Sequence, residues 1–344
     1  MTKGGHPYHM YEEIQAQPQH VLALGEAVAR AADAAAGVLA GKAPILVGCG
    51  TSLFAAELAA AYLYDRGAPT AAVSAASLVG RQAPLDRRRP LVAFSHSGET
   101  PAILDLLAAA RQREVPSVLI TGFPASTAAG LASVTVATGY ARELSLCHTI
   151  SFTLSSLTAI LLLKAAAAQL PPDIVLPSPA EVADGIAAVL RHEGRIAAPA
   201  EGLLSGRRAV VGAGAGLALA REVGLKLSEA AYLETQALEL EQFFHGYIPA
   251  YGAGDHVLAI LEPAAGQRAA DLGKVADILG LQLLRLDLGT LSAWTAAATR
   301  DTFPWLAGAY LQLLVYHAAL AAGTDPDQLR RDDPRYRAAR EAYR

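Results

Sequence analysis

Basic charge and cysteine are both scarce in this chain of 344 residues. The 28 lysines and arginines are outnumbered by 32 aspartates and glutamates, so a basic surface for nucleic acid is not expected. The two cysteines, Cys49 and Cys147, provide no disulfide framework, and neither they nor the nine histidines show metal-ligand spacing. We therefore expect no metal, no nucleic-acid partner, and two free thiols in a reducing cytoplasm.

Long uninterrupted apolar runs are also lacking. The two most apolar stretches, 151–168 and 305–322, are broken by polar residues such as Lys164 and His317. A membrane-spanning helix needs about 20 nearly continuous apolar residues, so both stretches predict buried helices and no membrane partner. The first residues, Met1 to His6, have no apolar segment typical of a signal peptide, which favours a cytoplasmic protein.

The sequence does contain an alternation of short apolar runs and helical patterns. Strands are predicted at 45–47, 71–73, 91–94, 118–121 and 134–137, with helical patterns after several of them. Strands separated by helices of about 10 to 15 residues predict parallel β-α-β units, and therefore an α/β protein with a doubly wound parallel sheet.

The pattern restarts after a proline-rich stretch at 171–179. Gly48 precedes Ser95 by 47 residues and Gly212 precedes Glu262 by 50, which predicts a tandem duplication. The expected limits are 1–20 for an N-terminal segment, 21–175 for the first domain, 176–325 for a linker helix with the second domain, and 326–344 for a C-terminal tail.

One predicted strand ends in a hydroxyl-rich turn that leads into a helix, namely Ser95-His96-Ser97-Gly98-Glu99-Thr100. Thr100 suits the N-cap position and Pro101 the first helical position. Hydroxyls and free N–H groups at the positive end of a helix favour the binding of an anion. An ordinary polar turn explains the same residues equally well. A second turn, Gly48-Cys49-Gly50-Thr51-Ser52, ends another strand, and a parallel sheet would bring both turns to one crevice.

The helical pattern at 214–233 carries three ionisable residues on one face. Glu222, Lys226 and Glu229 are spaced four and three residues apart. An exposed ion pair between Glu222 and Lys226 accounts for two of them but leaves Glu229 unassigned. The functional alternative is a pocket in which a carboxylate moves a proton between adjacent carbons while an ammonium holds an anionic oxygen.

Two histidines have a notable context. His245 precedes a glycine in a segment rich in acidic and aromatic residues, Glu239 to Pro249. It can be structural, or it can protonate a ring oxygen, because imidazole titrates near neutrality. His148 follows Cys147, but neighbours in sequence rarely point at each other, so they are not interpreted as a base and a nucleophile.

Together these motifs resemble a known family, the sugar isomerase (SIS) domain, through the turns at 48–52 and 95–100. The second half contains Glu222-Val-Gly-Leu-Lys226-Leu-Ser-Glu229 and His245-Gly246, and it resembles the tandem-SIS isomerase domain of the glucosamine-6-phosphate synthase family. The resemblance covers nearly the whole chain, from Met10 to the segment 323–328. It implies two tandem, doubly wound, flavodoxin-like domains.

The resemblance also implies a role for each group. The phosphate of a hexose phosphate would be bound by Thr51, Ser52, Ser95, His96, Ser97 and Thr100. Glu229 would move the proton between C1 and C2, Lys226 would assist at the oxygen or amine of the sugar, and His245 would open the ring. In that family the histidine comes from the neighbouring subunit, so a homodimer with a shared active site is implied.

Three departures from the family pattern concern the substrate. The chain shows no glutaminase domain and no N-terminal cysteine nucleophile. The stretch 329–336 contains no lysine, whereas the tail of the synthase carries a lysine that forms a Schiff base. Cys147-His148-Thr149-Ile150 replaces the Ala-Ser-Thr-Lys of the synthase. These changes leave phosphate binding intact and put the substituents at C1 and C2 in doubt.

The leading hypothesis is a phosphosugar aldose–ketose isomerase, or an amino-sugar phosphate isomerase or deaminase. A deglycase that cleaves a sugar-phosphate–amine conjugate is an alternative that would bind the same phosphate. A non-catalytic sensor of sugar phosphates is a third interpretation, and the presence of both Glu229 and His245 argues against it. No metal or nucleotide cofactor is expected, because the glycines at 212–216 lack the spacing of a dinucleotide fingerprint.

Overall fold

Two parallel β-sheets form the centre of the computed structural model, which describes residues 4–80, 85–140, 142–262 and 265–342. The first sheet contains β1 (Ile45–Gly48), β2 (Ala71–Ser74), β3 (Leu91–Phe94), β4 (Ser117–Thr121) and β5 (Val134–Ala137), in the order β2-β1-β3-β4-β5. The second contains β6 (Arg208–Gly212), β7 (Gln236–Glu239), β8 (His256–Leu261) and β9 (Gln282–Asp287), in the order β7-β6-β8-β9. All neighbouring strands are parallel, which confirms the predicted α/β class.

Helices cover both sheets. The first half contains α1 (His9–Leu22), α2 (Leu24–Leu39), α3 (Thr51–Tyr64), α4 (Ala75–Gly80), α5 (Pro101–Gln112), α6 (Thr127–Leu131) and α7 (Ile150–Ala165). The second half contains α8 (Pro179–Leu190), α9 (Glu193–Ala197), α10 (Ala215–Ala230), α11 (Leu240–Gln242), α12 (Gly266–Leu279), α13 (Leu288–Ser292), α14 (Phe303–Ala321) and α15 (Pro334–Glu341). The two apolar stretches form α7 and α14, which are largely buried. Among the described residues, no helix combines the length and the apolar character that crossing a bilayer requires.

Side chains of each strand alternate between two buried faces of its sheet. In β3, Val92 and Phe94 pack into a core shared with α3, α7 and α14, whereas Leu91 and Ala93 pack on the opposite face against α5. The shared core continues to the second sheet, where Val210 of β6 lies in it. Within this core, α10 packs against both α3 and α14. The helix that follows β6 is therefore held beside the helix that follows β1.

Each sheet has a first helix that begins at a glycine in the same unusual conformation. Gly50, before α3, has φ 54° and ψ −134°, and Gly214, before α10, has φ 56° and ψ −129°. Residues other than glycine are strained at such positive φ values. This similarity and the matching order of the first four strands support the predicted duplication. The duplication and the proposed domain limits remain predictions.

The second sheet differs from the first where the hydroxyl turn would be. Glu262 directly follows β8, as Ser95 directly follows β3. Its carboxylate accepts the N–H of Gly216 at 3.0 Å, at the start of α10. Burial, together with the neighbouring Asp65, raises the pKa of Glu262 to about 7. The next two residues in the sequence, Pro263 and Ala264, lie outside the described residues.

Candidate functional site

The two hydroxyl turns lie side by side at one edge of the first sheet. β1 and β3 are adjacent and parallel, with Val47 paired to Ala93, so the carboxyl ends of both strands meet. The turns 48–52 and 95–100 begin at these ends. Ligands of doubly wound sheets bind in the crevice at this position, where the strand order reverses.

Hydrogen bonds within the turn 95–100 direct its hydroxyls toward one another. Ser95 Oγ accepts the N–H of Gly98 at 3.1 Å and lies 3.2 Å from Thr100 Oγ1. Thr100 is at the N-cap position of α5 and Pro101 is at its start, as predicted, yet the Thr100 side chain makes no capping hydrogen bond. The Thr100 hydroxyl therefore faces the turn, where it can meet an anion.

The backbone of this turn requires glycine at position 98. Gly98 has a φ of 67°, and a Cβ atom placed there would lie 2.0 Å from Ser126 Oγ. Ser97, at the tip of the turn, is exposed, and its hydroxyl accepts the N–H of Glu99 at 3.2 Å. The turn thus combines a fixed backbone with a hydroxyl that is accessible to a ligand.

Lys226 of α10 joins the second half of the chain to the first glycine turn. Its Nζ donates to Thr51 Oγ1 at 2.8 Å and to Glu229 Oε2 at 2.7 Å, and it lies 3.6 Å from Glu222 Oε1. We call these four residues the Lys226 cluster. Lys226 and Glu222 are 1% and 2% exposed, whereas the Glu229 side chain is 22% exposed. Glu229 is therefore the carboxylate of the cluster that is accessible to a ligand.

Burial and proximity set the charges of the Lys226 cluster. Burial raises the pKa of Glu222 to about 7, against the opposing effect of Lys226. Burial alone would lower the pKa of Lys226, but Glu222 and Glu229 raise it above its ordinary value, so the ammonium stays charged. The alternative of an exposed Glu222–Lys226 ion pair is wrong, because both side chains are buried.

Glu229 opens onto a cavity of about 360 Å³ whose far wall is formed by the C-terminal segment. Arg330 from that segment lies with its guanidinium carbon 4.1 Å from the ring centre of Tyr232 and 4.9 Å from that of Tyr336. The lysine-free tail therefore still covers this side of the site, and it brings an arginine to it.

His245 lies in a single π-helical turn, Phe243–Tyr247. Its side chain is 76% exposed, and its Nε2 lies 3.8 Å from Glu241 Oε2. The structure of the described residues does not bring His245 into contact with Glu229. Single π-helical turns are frequent at functional sites. The predicted role of His245 therefore depends on a second subunit.

A second cavity, of about 490 Å³, lies beside the turn 95–100 and was not predicted from the sequence. Its walls come from His96 and Ser97, from the segment 142–148 and from the segment 327–331. Both ring nitrogens of His96 are buried and have no hydrogen-bond partner among the described residues, and burial lowers the pKa of His96. A neutral, unpartnered imidazole in this wall is suited to contact a ligand.

Glu143 and His148 face each other at the wall of this second cavity. The Glu143 carboxylate is fully buried, accepts the N–H of Ile150 at 2.8 Å, and lies 3.9 Å from His148 Nδ1. The His148 ring packs edge-on against His96, with 5.3 Å between the ring centres. The signal available in the sequence was the departure from the family pattern at 147–150, but it did not identify Glu143.

Residues 42–163 match the family model described as the SIS domain. The glutamine–fructose-6-phosphate aminotransferase (isomerizing) of Pyrobaculum aerophilum is 29% identical over 96% of this chain and 57% of its own length. The corresponding enzyme of Aeropyrum pernix is 28% identical, also over 96% of this chain and 57% of its own length. The chain thus spans less than two thirds of the curated relatives it matches. Its first half is thus similar to a SIS domain, and nearly the whole chain is similar in sequence to part of these aminotransferases.

Solved structures show the same fold over nearly the whole chain. The C-terminal domain of glucosamine-fructose-6-phosphate aminotransferase from Francisella tularensis has a TM-score of 0.80 at 22% identity, over 95% of this chain and 99% of that one. Glucosamine-6-phosphate deaminase from Thermotoga maritima has a TM-score of 0.77 at 19% identity, over 93% and 97%. Tagatose-6-phosphate ketose/aldose isomerase from Escherichia coli has a TM-score of 0.77 at 19% identity, over 94% and 95%.

Proposed function

We propose that this chain is a phosphosugar aldose–ketose isomerase acting on a hexose 6-phosphate. The observation that carries the proposal is the hydrogen bond from Lys226 Nζ to Thr51 Oγ1. It connects the carboxylate best placed for proton transfer, Glu229, to the hydroxyl turns best placed for a phosphate. The names of the matched relatives, which include a fructose-6-phosphate aminotransferase and a tagatose-6-phosphate isomerase, support this substrate class.

The phosphate binds at the edge of the first sheet. Its oxygens accept hydrogen bonds from the hydroxyls and free N–H groups of the two turns, and the N-termini of α3 and α5 add favourable partial charge. The residues concerned are Thr51, Ser52, Ser95, His96, Ser97 and Thr100. With the phosphate held there, the sugar extends toward the Lys226 cluster.

Proton transfer is the task of Glu229. Its carboxylate removes the proton from C2 of the open-chain aldose, and the C2–H electron pair forms the C1=C2 bond as the carbonyl electrons move to O1. The O2 proton passes to O1, the C=O bond forms at C2, and the carboxyl proton is returned to C1, which gives the ketose. The Lys226 ammonium stabilises the negative charge that develops on the sugar oxygen, and burial strengthens this interaction because water does not compete for it.

The second half of the chain acts in this proposal as a second SIS domain, and the active protein is a homodimer. His245, exposed in its own subunit, reaches the active site of the neighbouring subunit and protonates the ring oxygen as the sugar opens. A site shared between subunits would explain why His245 is exposed in its own subunit and lies in a π-helical turn away from the Lys226 cluster.

A screen of hexose 6-phosphates and their 2-amino derivatives in deuterated water tests the proposal. Isomerisation converts aldose to ketose, and proton NMR would detect the product and any deuterium incorporated at C1 or C2. Release of ammonia from an amino sugar would instead establish a deaminase, and release of a larger amine from a sugar–amine conjugate would establish a deglycase. Binding without turnover of any of these compounds would indicate a sensor and refute the isomerase.

A further inference from the structure

We propose that His148, beside the buried carboxylate of Glu143, is the general base of sugar ring opening and removes the proton of the anomeric hydroxyl. This inference rests on the proposed function and adds a catalytic residue to it. It concerns a pair of side chains to which the motifs of the sequence assign no role.

His148 lines the cavity beside the proposed phosphate-binding turn. Its side chain is 34% exposed and lines the 490 Å³ cavity together with His96 and Ser97, which belong to the phosphate-binding turn. The adjacent Cys147 is buried, and its thiol is subject to the charges of Lys226 and Glu229. The segment 143–148 therefore lines the cavity at His148 and comes close to the Lys226 cluster at Cys147.

Glu143 is a buried anion that the fold holds in one place. The backbone N–H groups of Thr149 and Ile150, at the start of α7, donate to its Oε1. Burial alone would raise the pKa of Glu143, but His148, His96 and these donors bring it below its ordinary value. A carboxylate fixed in this way stabilises a positive charge that forms on an adjacent imidazole.

The other ionisable groups around Glu143 and His148 are less suited to act as the base. Glu13 of α1 faces Glu143, and burial together with that charge raises the pKa of Glu13 to about 8, so it is protonated at neutral pH. The Asp327 carboxylate accepts the N–H groups of His9 and Met10 at 2.8 and 2.9 Å. His96 is neutral because burial lowers its pKa. Arg142 and Arg331 also line the cavity, and their positive charges favour an anionic substrate.

Ring opening needs a base as well as an acid. The proton of the O1 hydroxyl moves to His148 Nε2, and the O1–H electron pair forms the carbonyl at C1. The C1–O5 bond breaks, its electron pair goes to O5, and O5 takes a proton from the acid, the role proposed for His245 of the partner. The proton on His148 then returns to solvent, so the step is balanced and consumes nothing. Glu143, 3.9 Å from His148 Nδ1, stabilises the transient imidazolium through its negative charge.

Anomer exchange in a Glu229→Gln background measures ring opening alone. In that variant the proton between C1 and C2 cannot move, but opening and reclosing of the ring still interconverts the α and β anomers, which NMR exchange spectroscopy detects. We expect the α and β anomers of a hexose 6-phosphate to interconvert faster in the presence of E229Q than in solution without protein. Adding His148→Ala should lower the enzyme-catalysed exchange about 100-fold, with hexose 6-phosphate affinity and melting temperature nearly unchanged.

Two further readouts distinguish a base from a structural residue. Imidazole added to E229Q/H148A should restore part of the exchange, because the cavity has room for it. Glu143→Gln in the E229Q background should lower the exchange rate without weakening hexose 6-phosphate binding, because the imidazolium that forms on His148 during the step loses its neighbouring anion. His256→Gln, a histidine outside both cavities, is the matched control and should leave exchange unchanged.

The outcomes separate this inference from the proposed function. If the wild-type protein isomerises a hexose 6-phosphate while E229Q/H148A keeps the exchange rate of E229Q, the role of His148 is refuted and the isomerase stands. An H148A variant that loses exchange, resists imidazole rescue and also loses affinity refutes it as well, since the residue is then structural. If wild-type protein neither binds nor converts any hexose phosphate, both proposals fail.

Discussion

Lys226 Nζ and Thr51 Oγ1 are 175 positions apart in the sequence and form a hydrogen bond of 2.8 Å. The lysine belongs to the helix after the first strand of the second sheet, and the threonine begins the corresponding helix of the first sheet. The bond is possible because α3 and α10 pack against each other. It places Glu229, one turn after Lys226, at the boundary between the two halves of the chain.

Replacing Glu229 with glutamine should abolish isomerisation while leaving substrate binding nearly intact. The amide keeps the size of the side chain but cannot accept the C2 proton, so kcat should fall by about 100- to 10,000-fold. Steady-state kinetics and calorimetry would measure the two effects. Glu201→Gln, which alters an exposed carboxylate elsewhere, should keep full activity. Full turnover by E229Q would exclude Glu229 as the base.

Replacing Gly98 with alanine should disrupt phosphate binding. The new Cβ would overlap Ser126 Oγ, and alanine is strained at a φ of 67°. We expect a loss of about 1–3 kcal/mol in the free energy of unfolding and a large rise in KM for any sugar phosphate. Gly130→Ala is a suitable control, since no atom lies within 4 Å of a Cβ placed there and its φ is not positive. Equal KM values for both variants would contradict the proposed turn.

Replacing Lys226 with methionine should destabilise the folded protein and also abolish its activity. Glu222 would be left buried without its cation, and removing one partner of a buried ion pair costs about 3–5 kcal/mol. Chemical denaturation would measure this loss. Adding Glu222→Gln should recover part of the stability but none of the activity. Stability of K226M within about 0.5 kcal/mol of wild type would show that the pair contributes little.

Glu262 should make stability depend on pH in a direction opposite to that of most carboxylates. Its pKa in the folded state, about 7, is higher than the ordinary value of 4.5. The folded state therefore binds this proton more tightly than the unfolded state does. The resulting contribution of Glu262 to the free energy of unfolding is complete below about pH 4.5 and is lost as pH rises through 7. The difference in unfolding free energy between wild type and Glu262→Gln should change across this range, and Glu201→Gln should give a constant difference.

Mixing two inactive variants tests the shared active site. Glu229→Gln and His245→Gln each inactivate every site of their own homodimer. If His245 acts across the interface, a mixed dimer regains one complete site, and random exchange of subunits should restore about a quarter of wild-type activity. Sedimentation would confirm the dimer independently. Mixtures that stay inactive although subunits exchange would place His245 in the site of its own chain or outside the mechanism.

Local sequence patterns were sufficient for much of the fold. Strand β3 and the start of α5 have the predicted bounds, because a continuous apolar run and the Thr-Pro pair mark them clearly. β7 and β9 were not predicted, since each is an edge strand of its sheet and lacks a continuous apolar run. Their place in the sheet is determined by pairing with β6 and β8, which no local pattern encodes.

The candidate site was predictable only in part. The spacing of Glu222, Lys226 and Glu229 correctly placed them on one helix face, but it could not show whether that face is buried. The partner of Lys226 is Thr51, a contact that depends on how α3 and α10 pack. Glu143 is separated from His148 by only five positions, yet the fold of the intervening segment, tied to Glu13 and Asp327, is what brings the two side chains together.

The carboxylate of Glu262 has a consequence for binding stoichiometry. Glu262 follows β8 as the phosphate-binding turn follows β3, and its side chain accepts the N–H of Gly216 at the start of α10. A second phosphate there would find the N–H of Gly216 already bonded to this carboxyl group, and above about pH 7 it would also meet a negative charge. A titration with a sugar phosphate should therefore saturate at one equivalent per chain, even though the two halves share the same strand order. Because this carboxyl group takes the place of a ligand, the second half binds no phosphate of its own, and its helix α10 supplies Lys226 and Glu229 to the site of the first half.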